Sequence, residues 1–107
     1  MNEVRIVGLL GLGYRGKRLA MGEDSLKALA TKKGALILVA KDASDNTKKR
    51  AKDKGNFYDV PVLEFANKRA LGLSLGKRAV AIITIFDYKL ALSLLDNMKA
   101  GDVDGKI

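Results

Sequence analysis

Two features of this 107-residue chain could do chemistry, a cluster of glycines near its start and a large excess of cations. Gly11-Leu12-Gly13-Tyr14-Arg15-Gly16 matches the G-x-G-x-x-G fingerprint letter for letter. In that fingerprint, glycines let the backbone approach a pyrophosphate at a helix N-terminus. On this reading residues 4–10 form a strand and Asp42 is the ribose ligand. The context argues otherwise. Gly22 falls where the phosphate-binding helix should be running, and Asp42 lies beyond the usual spacing of about 20 residues. The expected role of the cluster is therefore glycines within a helix and its exit turn, with nucleotide binding through Gly11, Gly13 and Gly16 as a rival.

Composition narrows the chemistry further. The chain has no histidine and no cysteine, which excludes imidazole proton transfer, thiolate nucleophiles, disulfides and zinc ribbons. Asp42, Asp45, Asp53 and Asp87 show no spacing that builds a metal site, and helix capping accounts for three of them. No cofactor is expected. Lys and Arg total 20 against 12 acids, a net charge of +8, which draws polyanions: RNA, DNA or an acidic membrane. No run reaches the roughly 18 apolar residues that span a bilayer, and Glu3 and Arg5 interrupt the apolar start. A cytoplasmic, monomeric protein is expected, with a single domain over residues 1–100 and a frayed tail over 101–107.

The elements that position these residues follow from periodicity. Val4, Ile6, Val7 and Leu10 fit one helical face, with Asn2 as N-cap. A short strand is expected over residues 18–21. A helix begins at Glu23, has Leu26, Leu29 and Ala30 on its inner face, and is capped by Gly34. Residues 35–40 read as a strand buried on both faces. Asp42, Ser44 and Asp45 offer caps for a third helix, whose basic half holds Lys48, Lys49, Arg50, Lys52 and Lys54 and which Gly55 ends. This basic half is expected to be a solvated face. A strand over residues 60–65 begins near Pro61, and Asn67 caps a short helix through Leu71 and Leu75. A strand over residues 79–86 precedes a last helix capped by Asp87, with Leu90, Leu94 and Met98 facing inward. Phe65 and Phe86 are core candidates, and Tyr14, Phe57 and Tyr58 are expected to pack rather than stack on bases. Strands alternate with helices, an order that places helices on both faces of a sheet.

At Asp42-Ala43-Ser44-Asp45-Asn46-Thr47-Lys48-Lys49, preceded by Leu36-Ile37-Leu38-Val39-Ala40, the chain resembles bacterial YlxQ-like proteins. These are part of the superfamily of kink-turn-binding ribosomal proteins, the L-seven-Ae and L-thirty-e group. The likeness continues through Tyr58-Asp59-Val60-Pro61-Val62, Ala70-Leu71-Gly72 and Leu75-Gly76-Lys77. Upstream, Leu10-Gly11-Leu12, Gly16-Lys17 and Gly22-Glu23-Asp24 with Lys27 fit the same pattern. It covers about Leu10 to Asp87.

The resemblance implies a three-layer α/β/α sandwich with a central four-stranded mixed sheet. It also implies a non-catalytic RNA-binding protein for structured, kinked RNA: ribosomal RNA or a messenger leader, with the ribosome as a possible partner and no membrane. Family members dock the N-terminus of the second helix against sheared G·A pairs. Carried over, this assigns Gly22, Glu23, Asp24 and Lys27. Gly22 leaves the helix end open, a carboxylate at Glu23 or Asp24 accepts from a base amino group, and Lys27 donates to guanine O6 or phosphate. Arg15, Lys17 and Arg18 are expected to neutralise the backbone beside that site, and Lys77 and Arg78 to lie near it. Two departures accompany the likeness. The Gly22-to-Lys27 spacing is one residue shorter than in the relatives, and the loop after Gly76 is short. A protein-interaction domain that has lost RNA recognition is the second rival.

Overall fold

A computed structural model describes residues 3–106, with side chains through residue 99; the Asn2 cap lies outside the described residues. The order is α1 (Glu3–Arg15), β1 (Leu19–Met21), a 3-10 helix (Glu23–Ala30), β2 (Leu36–Val39), α2 (Asp45–Tyr58), β3 (Val62–Glu64), α3 (Lys68–Ser74), β4 (Ile82–Ile85) and α4 (Tyr88–Lys106). Four strands form one mixed sheet in the order β1-β4-β2-β3. The β1–β4 and β4–β2 pairs are antiparallel and β2–β3 is parallel. Helices α1, α3 and α4 pack together on one side, and the 3-10 helix packs with α2 on the other. The chain is thus the expected three-layer sandwich.

The two central strands explain the layering. Every residue of Leu36–Val39 and Ile82–Ile85 is buried, because helices cover both faces of the sheet. Such strands read as continuous apolar runs rather than alternations. The edge strands are three residues each, short enough to offer little unpaired backbone. Ile6 and Leu10 of α1 and Leu90, Leu94 and Met98 of α4 close one face. Phe65 is buried at 4% exposure and Phe86 is half-buried against the core.

Three caps fall where the sequence places them. The Ser44 hydroxyl accepts from the Thr47 N–H at 3.1 Å, Asn67 Oδ1 from the Ala70 N–H at 2.8 Å, and Asp87 Oδ1 from the Lys89 N–H at 2.8 Å. Each satisfies a donor that the helix cannot satisfy itself. Asp42 acts elsewhere than expected. Its Oδ1 accepts from the Lys68 N–H at 2.8 Å, at the start of α3 rather than of α2.

Several boundaries differ from expectation. Residues 4–10 are helical, so the strand required by the dinucleotide reading is absent from α1. Gly11 and Gly13 serve packing: a Cβ on Gly11 would lie 3.1 Å from the Ser74 carbonyl, and one on Gly13 2.5 Å from Leu90. The helix from Glu23 has 3-10 geometry and ends at Ala30 with Thr31 as its C-cap, not at Gly34. Gly34 is where Leu29 and Val60 crowd the backbone. Gly55 does not end α2, which runs to Tyr58 and closes on Asp59 in the left-handed conformation (φ 58°). A Cβ on Gly55 would meet the Val60 carbonyl at 2.7 Å and the Val62 side chain, so the glycine is a packing contact inside the helix. Phe57, expected to pack, is 78% exposed. The helix α4 runs through Lys106.

Candidate functional site

At one end of the sheet the chain leaves β1, β2 and β3 and enters β4, and backbone hydrogen bonds tie the connecting loops together. The Gly22 N–H donates to the Ile82 carbonyl at 2.8 Å, Ala40 to Ala81 at 2.9 Å, Lys41 to Ala66 at 2.9 Å, and Val80 to Lys68 at 2.9 Å. The starts of the 3-10 helix, α2 and α3 therefore share this end with the loop that carries Lys77 and Arg78.

Gly22 stands at the N-terminus of the 3-10 helix with φ 85° and ψ 172°, a conformation essentially reserved for glycine. A Cβ placed there would meet nothing within 4 Å, so the backbone is open to an approaching molecule. No side chain caps this first turn. The Glu23 and Asp24 N–H groups of this turn are thus available to an acceptor from outside the protein.

The turn is anchored from beneath. The Gly22 carbonyl accepts from the Ser25 N–H at 3.1 Å and from the Ser25 hydroxyl at 2.6 Å. That hydroxyl also lies 2.7 Å from the Thr84 hydroxyl on β4, and both residues are buried. Removing one member leaves a buried hydroxyl without its partner, which costs about 1–3 kcal/mol. Ser25→Ala is therefore expected to lower unfolding free energy by about that amount, and the double change with Thr84→Val to recover much of it. Additive losses in denaturant titrations of the two single variants and the double variant would contradict the pairing.

The structure brings part of the expected set together. Glu23 pairs with Arg50 of α2 at 3.4 Å, and Asp24 pairs with Lys27 at 3.4 Å on the exposed surface. Lys77 and Arg78 are exposed on the neighbouring loop, held by the Lys77 N–H donating to the Gly72 carbonyl at 2.7 Å. Two further exposed cations, Lys41 and Lys68, border the same end. Among the described residues Lys41, Lys68, Lys77 and Arg78 take part in no ion pair. The cationic surface is thus available to an outside anion. No group of His, Cys, Asp or Glu among the described residues could hold a metal ion.

Sequence reasoning missed Arg50, which was expected on a solvated face. Together with Lys54 it lines a groove of about 270 Å³ with Glu23, Leu26 and Lys27. Nothing local marks Arg50 apart from its basic neighbours; the packing of α2 on the 3-10 helix selects it. Conversely, Arg15, Lys17 and Arg18 are not beside Gly22. They precede β1, and Arg18 pairs with Asp87 at 3.4 Å at the opposite end of the sheet. Four residues of extended chain put Arg18 about 13 Å from Gly22.

The profile of the ribosomal protein L7Ae/L30e/S12e/Gadd45 family matches residues 7–94. The chain is 38% identical over 92 residues to the RNA-binding protein YlxQ of Bacillus subtilis, covering 82% of this chain and 92% of that protein. It is 35% identical over 77 residues to RNA-binding protein YlxQ of Enterococcus faecium, covering 71% and 75%. A solved structure of a protein with unknown function from Bacillus halodurans superposes with a TM-score of 0.82 at 30% identity, covering 89% of this chain and 97% of that one. The Giardia lamblia 15.5kD RNA binding protein superposes with a TM-score of 0.72 at 18% identity, covering 91% and 87%, a likeness of fold.

Proposed function

The chain belongs to the ribosomal protein L7Ae/L30e/S12e/Gadd45 family, and from that premise we propose that it is a non-catalytic RNA-binding protein that recognises a kinked RNA at the Gly22 tip. The observation that carries this reading is the uncapped, open first turn at Gly22, set among the cations Lys41, Lys68, Lys77 and Arg78. Free N–H groups donate to a phosphate or base oxygen, and the surrounding cations neutralise the backbone of a folded RNA. Glu23 and Asp24 supply acceptors for base amino groups and Lys27 a donor. Their present partners Arg50 and Lys27 are held only by exposed ion pairs, which yield at little cost. The RNA would be ribosomal or a messenger leader, met in the cytoplasm by a monomer, with the ribosome as the larger partner.

A gel shift comparing a kink-turn RNA with the same RNA after its G·A pairs are changed tests the reading. The kink-turn form is expected to bind more tightly, with an affinity that falls steeply as salt rises. Lys27→Ala should weaken that binding by about 1–3 kcal/mol, the loss expected for a base-edge contact. Equal binding of the two RNAs, or of a plain duplex, at physiological salt would favour the protein-interaction rival instead.

A further inference from the structure

The cations that the fold removes from the Gly22 tip gather at the other end of the sheet. There the segments around residues 15–18, 32–35 and 86–89 lie side by side. The Phe86 N–H donates to the Arg18 carbonyl at 2.9 Å, and the Ala35 N–H to the Ile85 carbonyl at 2.7 Å. Arg15, Lys17, Arg18, Lys32, Lys33 and Lys89 are all exposed here. Asp87 lies among them, with Oδ2 paired to Arg18 and Oδ1 bonded to the N–H groups of Lys89 and Leu90. Among the described residues Arg15, Lys17 and Lys33 take part in no ion pair.

Aromatic rings sit within this charge. Tyr88 is 69% exposed, and Phe86 offers a face that already carries the Lys32 ammonium 4.5 Å from its centroid. A recess of about 220 Å³ lies between them, lined by Lys33, Gly34, Ala35, Phe86 and Tyr88. Its volume and its wall of Gly34 and Ala35 leave room for one flat heterocycle. Cations that track phosphates beside an exposed ring that stacks a base are the two components of single-strand recognition. An acidic peptide would use the charge but not the ring.

We infer that this pole is a second RNA surface that takes an unpaired strand, with a base stacked at Tyr88 and phosphates on Lys33, Lys17 and Arg15. The inference rests on the reading that the chain binds RNA, but it uses none of the residues of the Gly22 tip. With Arg18 and Gly22 about 13 Å apart along β1, one RNA could engage both ends, stem at the tip and single-stranded flank at this pole.

The full chain, a fluorescein-labelled ten-nucleotide oligouridylate and a blunt kink-turn stem provide the test. The oligouridylate is expected to bind in a salt-sensitive way and to quench tyrosine emission. Tyr88→Ala and Lys33→Glu should each weaken that binding by about tenfold and leave the blunt stem within about twofold. Lys17→Glu, on a separate segment, should act in the same direction, so that misfolding of one variant cannot decide the result. No binding of the oligouridylate, unchanged affinity in all three folded variants, or competition between stem and oligouridylate for one site would overturn the inference. Polyglutamate binding that the Tyr88 change leaves untouched, with the oligouridylate equally indifferent to it, would mark an acidic-protein surface instead. Loss of stem binding alone, in the unaltered chain, would sink the Gly22 proposal and leave this one standing.

Discussion

Gly22→Ala is expected to lower the unfolding free energy by about 1–3 kcal/mol, although the added methyl group touches nothing. Open space surrounds the position to 4 Å, so sterics with neighbours contribute no cost. The cost is torsional, because φ 85° with ψ 172° is a region that L-residues other than glycine scarcely enter. For a domain of this size each kcal/mol corresponds to about 4–8 °C in melting temperature. RNA affinity should fall as well. If the peptide rotates to relieve the strain, the Gly22 carbonyl leaves Ser25 and the first-turn N–H groups change direction. A D-alanine introduced by chemical ligation prefers this mirror-image region and should restore stability. Gly8→Ala provides the contrast: also open space, but within α1 and without a positive φ, so it should gain about 0.5–1 kcal/mol. If Gly22→Ala melts at the parent temperature, the special backbone is not required and the tip loses its structural basis.

Gly72→Ala should be as damaging for the opposite reason, collision. A Cβ at Gly72 would stand 2.7 Å from both Cα and N of Ala79 and 2.9 Å from the carbonyl carbon of Arg78. All three are backbone atoms, so no side-chain rotation relieves the contact. Either α3 or the loop before β4 must move. Overpacking of this kind costs about 1–3 kcal/mol, measurable by denaturant titration. The shift also bears on function, because this loop carries Lys77 and Arg78 and is held by the Lys77 N–H on the Gly72 carbonyl. Gly72→Ala is therefore expected to weaken RNA binding more than Lys77→Ala alone. Parent-like affinity in a folded Gly72→Ala protein would separate the loop from the interface.

Much of the fold was legible locally. Ser44, Asn67 and Asp87 cap the helices that follow them because each hydroxyl, amide or carboxylate satisfies a donor two or three residues on. The apolar runs of β2 and β4 were legible because burial on both faces removes polar alternation. Glycines were read less well. Gly34 and Gly55 look like helix stops, yet each is where a neighbouring segment presses on the backbone, a difference with no local signature. The 3-10 geometry after Gly22 also escaped notice. The same residues suit either helix, and the buried Ser25–Thr84 contact comes from a strand 59 residues away.

The candidate site divides in the same way. Gly22, Glu23, Asp24 and Lys27 fall within six consecutive residues, so a family-like pattern in the chain was enough to single them out. Arg15, Lys17 and Arg18 lie only a few residues earlier, and proximity along the chain suggested proximity in space. An extended strand separates its two ends by about 3.3 Å per residue, so β1 carried them to the far pole. Arg50 made the reverse journey, joining Glu23 from 27 residues downstream because α2 packs on the 3-10 helix. Charge balance, capping and layer order are properties of short segments, and the amino-acid order alone determined them. Which cations share a surface depends on how strands and helices stack, and only the tertiary structure decided it.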